Sequence, residues 1–418
     1  MDPPIAEKSK TPWYFAIIPS NMATGSSTVL STLLALNLGA TVTEIGVLSA
    51  ANAAATIIFS TIWGKLSDSS GTRKKYLLII FFALIPIFLI LSLVNSVSQL
   101  ILSYSVLAIF TSGIAPIATM LAVESCKSKN WEGEVARYNS ISSIGNIFGL
   151  VMNSAVAVFL KVSWLFYISS FSCLIAALML WRLAEEPEIT LERQAFPIRS
   201  LRNAEKFLSS IFHFLDIRQI RIPKVRKFKL KPLQLLFLAC FVQWTGIYFF
   251  SVGETPLMKA LGMPDSLILA LNASASLISI FAFSKIVPSL KQSRGNLINT
   301  ATIWRSILIL GWAGTSLLLV YAIPYAFVFP FLLGTIWPIS FAMIWLPIVT
   351  HAISSSPPNE KSATQGVLIS STAIANAIGA ILGGFVISTF GYTIGFISAA
   401  VITLLSAPIF SRSLVDIT

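Results

Sequence analysis

Residues 138–160 contain no aspartate, glutamate, lysine or arginine, and runs of this kind recur along the chain. Their length is the constraint that matters. A helix needs roughly 20 apolar residues to cross the ~30 Å hydrocarbon core of a bilayer. The charge-free runs 13–43, 45–64, 138–160, 162–181, 232–253 and 266–284 hold one span each. The runs 76–123, 306–350 and 362–411 are long enough for two, with breaks expected at VNSVSQ (94–99), YAIP (321–324) and TFGY (389–392). Twelve spans result, numbered one to twelve in chain order. Barrel strands would alternate every second residue over about ten residues, and these runs do not. Only 11% of the 418 residues are charged and 55% are hydrophobic, where a soluble domain carries about 25% charge. The chain reads as an all-α polytopic membrane protein.

The basic residues set its orientation. With the N-terminus in the cytoplasm, Lys65, Arg73, Lys74, Lys75, Lys127, Arg137, Lys285 and Arg412 all fall on the cytoplasmic side, and only Lys161 and Lys259 fall outside. The formal charge of +12 is then a topology signal. It does not imply nucleic acid, because no soluble module interleaves bases with aromatics; anionic lipid is a sufficient partner. The expected location is the plasma membrane, with both termini cytoplasmic and no cleavable leader. Residues 1–181 form an N-terminal six-helix bundle and 232–418 a C-terminal one. The linker 182–231 places Ala204, Phe207, Leu208, Ile211, Phe212 and Leu215 on one helical stripe. That is an amphipathic helix, lying on the membrane surface or on the bundle's own cytoplasmic face. The isolated Cys126, Cys173 and Cys240 fit neither a metal site nor a disulfide framework.

The two halves look like copies. GIAP (113–116) matches TIWP (335–338), and NIFG (146–149) matches NAIG (376–379). LGATVTEIG (38–46) pairs with LGMPDSLIL (261–269), and GKLSDSSGTRKK (64–75) with a worn counterpart, SKIVPSLKQSRG (284–295). The order is the same in both halves. Duplicated halves of a membrane protein build a site at their interface, near the bilayer midplane.

The stretch 64–75 carries a resemblance. Gly64, Leu66, Asp68, Gly71 and Arg73 match G-x-L-a-D-r-x-G-r-[R/K], the signature between spans two and three of the major facilitator superfamily, while Ser67, Ser69 and Thr72 depart from it. Twelve spans as six plus six, with a long basic middle loop, extend the resemblance over nearly the whole chain. It implies two pseudo-symmetric six-helix bundles that rock about a central cavity. It also implies that Asp68 and the bases beside it, including Lys74, form a latch holding the halves together when the cytoplasmic side is closed. In physical terms, Gly64 permits a close helix approach, and Asp68 can face the free N–H groups that open span eleven. Arg73 has Glu124 and Glu134 as candidate partners, with Arg137 able to share them.

By the same resemblance, spans one, four, seven and ten line the cavity, helped by two, five, eight and eleven. Polar stripes occur there. Span five has Asn139, Ser142, Asn146 and Asn153 on one helical face, and span eleven has Gln365, Thr372 and Asn376. Span one offers Asn21, Thr24 and Thr28; span seven Trp244, Tyr248 and Ser251; span ten Trp337 and Trp345. Each polar residue could equally make an interhelical hydrogen bond, but as sets they favour a cavity. Glu254 is the carboxylate set furthest into a predicted span. It can load and release a proton if it lies away from bulk water, or it can stand at the outer mouth. It is the candidate for proton coupling. Arg305, beside Trp304 in span nine, reads as an interfacial anchor reaching for the cytoplasmic headgroups, with anion binding as the alternative.

The cavity set of amides, hydroxyls and tryptophans suits a small neutral or amphipathic organic solute. The family's antiporter motif G-x-x-x-G-P-x-x-G-G keeps only its first two glycines here, at Gly145 and Gly149, and so does not support drug–proton exchange. The two histidines, His213 and His351, stand apart. No H-E-x-x-H, G-x-S-x-G or G-x-x-x-x-G-K-[ST] occurs, so enzyme chemistry and ATP-driven pumping are not expected. The expectation is a monomeric secondary transporter without a cofactor, with protons as the candidate coupling ion. A transporter-shaped sensor or scaffold is the alternative.

Overall fold

The computed structural model describes residues 12–124, 131–186, 232–286, 294–321, 325–355 and 361–413. Residues 187–231 of the linker, with its amphipathic stripe, and most of the worn counterpart at 284–295, lie outside them. Among the described residues there is no strand. The spans are Ile17–Asn37, Val42–Ser70, Arg73–Ser92, Val97–Glu124, Trp131–Val156 and Val162–Leu183 in the first half. The second half has Pro232–Ala260, Asp265–Phe281, Arg294–Val320 and Val328–Ser354, then Lys361–Ser413. Backbone dihedrals at Gly391 (φ 85°, ψ 169°) divide that last stretch into spans eleven and twelve. Nine helices among the described residues are long and apolar enough to cross a membrane. Dividing the last at Gly391 and adding spans one and five gives twelve. The expected breaks hold: span three ends at Ser92, span nine at Val320, and the final break is the glycine of TFGY.

The duplication is visible in the turns. Gly39 and Gly262 both take left-handed φ, 83° and 82°. After each, the next N–H reaches back five residues, Ala40 to Ala35 O at 2.9 Å and Met263 to Met258 O at 3.0 Å. Both are the same glycine-terminated helix end. Span two then starts with a capping box, Thr41 and Glu44 each bonding the other's backbone N–H.

Within each half, glycines set the closest crossings. A methyl group built on Gly149 of span five would sit 2.7 Å from Met22 Cα of span one. One built on Gly379 of span eleven would sit 2.5 Å from Thr245 O of span seven. These are the last residues of the matched NIFG and NAIG.

The halves meet through two equivalent pairs, span two on eleven and span five on eight. Among the described residues, four hydrogen bonds join them. Asn37 Nδ2 donates to Asp265 Oδ2 (3.3 Å), Thr43 N to Ser388 Oγ (3.0 Å), Thr43 Oγ1 to Gly384 O (3.2 Å) and Ser154 Oγ to Ser266 O (2.8 Å). All lie at the end carrying the turns 38–41 and 261–264. Toward the other end span two shows Ile58, Ile62 and Leu66 exposed, and span eleven Val367 and Ile374. The halves are closed at one end and stand apart at the other.

Candidate functional site

At the parted end, the signature residues form one cluster around Arg73. Span two stops because Gly71, at φ 67°, caps it in the left-handed region, its N–H bonding Ser67 O at 3.1 Å. The chain then turns into span three, whose first N–H groups, of Arg73 and Lys74, both donate to Glu186 Oε1. A carboxylate there compensates the positive end of the helix. The Lys74 ammonium donates to Ala184 O at 2.6 Å. The Arg73 side chain is buried. Its Nη2 pairs with Asp68 Oδ1 at 2.6 Å and Glu124 Oε1 at 3.1 Å, and Nη1 donates to Ser67 Oγ at 2.8 Å. Asp68 itself is 63% exposed.

Two expectations differ from this geometry. Glu134 accepts from Tyr14 Oη at 2.7 Å, and Arg137 stacks over the Tyr14 ring at 5.2 Å, so these two residues assemble around the start of span one. Gly64 faces open space, with nothing within 4 Å of a built methyl group. The close approach expected there is found instead at the closed end. A methyl group on Gly384 would meet Val42 O at 2.8 Å and Gly46 Cα at 3.2 Å.

The polar stripe of span five divides. Asn153 is buried and donates to Ser26 Oγ at 2.9 Å, and Asn146 turns its amide against Gly25. Both belong to the contact between spans one and five. Asn139 is exposed and Ser142 partly buried near the parted end. On span one, Asn21 and Thr24 bond their own helix, to Ile17 O and Ser20 O. On span eleven Thr372 does likewise, to Ile369 O. Asn376 is partly buried without a hydrogen bond among the described residues, and the Gln365 side chain lies outside them.

The tryptophans form an aromatic interior in the second half. Trp244 is buried against Trp345 (centroids 5.4 Å apart) and Phe341 (6.0 Å). Trp337 packs on Phe250 at 4.8 Å. Tyr248 and Glu254 of span seven are partly exposed.

The residue that sequence reasoning misplaced is Arg305. It is 1% exposed and lies inside the second half, with its guanidinium carbon 3.7 Å from the centroid of Trp337. Its position along the helix signals this. Eleven residues from the start of span nine is about 16 Å, beyond the reach of a side chain to the headgroups. A separate groove of about 580 Å³, lined by Lys74, Lys75, Leu78, Ile79, Phe82 and Glu186, opens on the flank of span three.

Two duplicated six-helix bundles, closed at one end and carrying this charged signature at the other, define a class of membrane transport proteins. The chain belongs to the Major Facilitator Superfamily, whose family model matches residues 14–367. No curated protein matches the sequence. Solved structures share the fold over nearly their full length. The nucleoside transporter NupG is 13% identical, with a TM-score of 0.68 over 96% of this chain and 98% of its own. An auto-inhibited POT-family peptide transporter is 14% identical, TM-score 0.71, over 97% and 96%. A bacterial homologue of the human lysosomal transporter Spinster, in an inward-facing and occupied conformation, is 14% identical, TM-score 0.67, over 96% and 95%.

Proposed function

We propose that this chain is a secondary transporter that moves a small organic solute across the membrane by alternating access, with protons coupled through Glu254. The observation that carries the reading is the asymmetry between the ends. Spans two and eleven, and five and eight, are bonded at one end, while at the other Asp68 is exposed and Gly64 faces open space. Alternating access requires each end to close in turn. In the opposite state Asp68 would face the first N–H groups of span eleven, and Gly64 would let that helix approach. The end bearing Asp68 is cytoplasmic in this reading, because the basic residues cluster there.

The solute is organic and amphipathic. Asn146, Asn153 and Thr24 are committed to packing or to their own helices, which leaves Asn139, Tyr248, Glu254 and Asn376 as polar contacts beside aromatic walls. The named neighbours move nucleosides and peptides, and at their low identity they do not choose among solutes.

The test is a thermal-stability screen of the purified protein against sugars, peptides, nucleosides, drugs and organic acids, followed by flux of the stabilising compound in proteoliposomes. D68N should cut flux while leaving membrane insertion intact. E254Q should remove the dependence on a pH gradient. Stabilisation without flux would overturn transport in favour of a sensor, and gradient dependence persisting in E254Q would remove it as the coupling residue.

A further inference from the structure

Arg305 is a cation sealed inside a membrane helix bundle, and its donors are only partly used. One face of the guanidinium lies on Trp337, with Phe341 further out at 6.0 Å. Nη1 donates to Ser340 Oγ at 3.2 Å. Nε is buried and has no acceptor. A charge in this setting calls for an anion. Among the described residues the charged side chain that acts on Glu254 is Arg305, and Tyr248 and Glu254 are the groups that act on Arg305. Yet among the described residues no ion pair joins Arg305 to Glu254, and neither Glu254 nor the Tyr248 hydroxyl makes a hydrogen bond. Span ten contributes Ser340, Trp337 and Phe341 here, none of which carries charge.

Stacking leaves the edges of the guanidinium free. The edge carrying Nε is one that a planar, two-oxygen anion grips side-on. We propose that Arg305 is a carboxylate subsite in the C-terminal half, taking a solute whose carboxylate pairs with Arg305 and accepts from the Tyr248 hydroxyl, with its apolar body against Phe250, Trp337 and Phe341. Tyr248 and Trp337 are partly exposed, and the subsite opens when one of them turns aside. Glu254 and the solute then compete for one cation. Two carboxylates and one guanidinium in low dielectric favour a proton on one acid, so binding tightens as the medium becomes more acidic. This rests on the transporter reading above and gives its solute a chemical class.

The test uses the full-length protein in detergent, with phenylpropionate, octanoate and benzoate as probes and phenylpropionamide as the neutral counterpart. Thermal shift gives apparent affinity at mildly acidic and mildly alkaline pH. At least one carboxylate should stabilise the protein, more strongly on the acidic side, and the amide should not. R305Q should weaken binding about tenfold or more, R305K less so. E254Q should bind equally at both pH values. No stabilisation by any carboxylate, an equal shift with the amide, or full binding in R305Q would overturn the subsite. If R305Q does not fold, the acid–amide comparison on the unaltered protein still decides. Binding without flux in proteoliposomes would overturn the transport reading and leave the subsite standing.

Discussion

Replacing Gly384 with alanine puts a methyl group where span two already stands. At the closed end that methyl would lie 2.8 Å from Val42 O, 3.1 Å from Thr43 Cα and 3.2 Å from Gly46 Cα. All three are backbone atoms of the other half, so no rotamer change relieves the crowding. Overpacking of this kind costs about 1–3 kcal/mol. Under the proposed alternating access the crowding exists only while this end is shut, so the cost would fall on one state alone and shift the equilibrium between the two by roughly 5–150-fold. G64A supplies the control with opposite sign. Its methyl meets nothing here, and would be crowded only if the other end closed. Spin labels at A40C and A260C, one in each half beside the closed end, report the difference as a distance distribution. G384A should populate longer distances, and G64A should sharpen the short one. An unchanged distribution in G384A, or the same direction of change in both variants, would refute the idea that the glycine crossing is a closure contact.

The remaining outcomes concern stability, read as thermal unfolding by tryptophan fluorescence. R73A should destabilise by about 3 kcal/mol, since it takes the guanidinium from the mostly buried Glu124. D68N should stay within about 1 kcal/mol, because that carboxylate is largely solvated. N153A should cost about 1 kcal/mol through its lost bond to Ser26. S26A should cost a similar amount, and the double variant little more than either single one.

The span pattern was readable in one dimension because charge and glycine punctuate it. Helices stop at Ser92, Val320 and Gly391, where the expected breaks lie. The copied turns were readable for the same reason: Gly39 and Gly262 both need a positive φ. The charged stretch pointed to Glu124 as a partner of Arg73, since Glu124 ends the helix next to it, but not to Asp68, Ser67 or Glu186. What periodicity could not tell is which neighbour a polar face meets. Asn146 and Asn153 share a stripe with Asn139, yet the first two meet span one and the third is exposed. Glu134 and Arg137 are near Arg73 in kind, but span five carries them to Tyr14. Arg305 was misread because a helix flank looks the same in sequence whether it meets lipid or protein.

The Arg73 guanidinium takes both of its carboxylates from spans two and four, on its own side of the molecule. When the bundles separate there, Arg73 keeps both partners and is not stranded. Among the described residues that cluster is electrically self-sufficient while the mouth is open. Ionic strength should have little grip on the Arg73 cluster, and rescue of an orphaned Arg73 charge supplies none of the work of shutting that mouth.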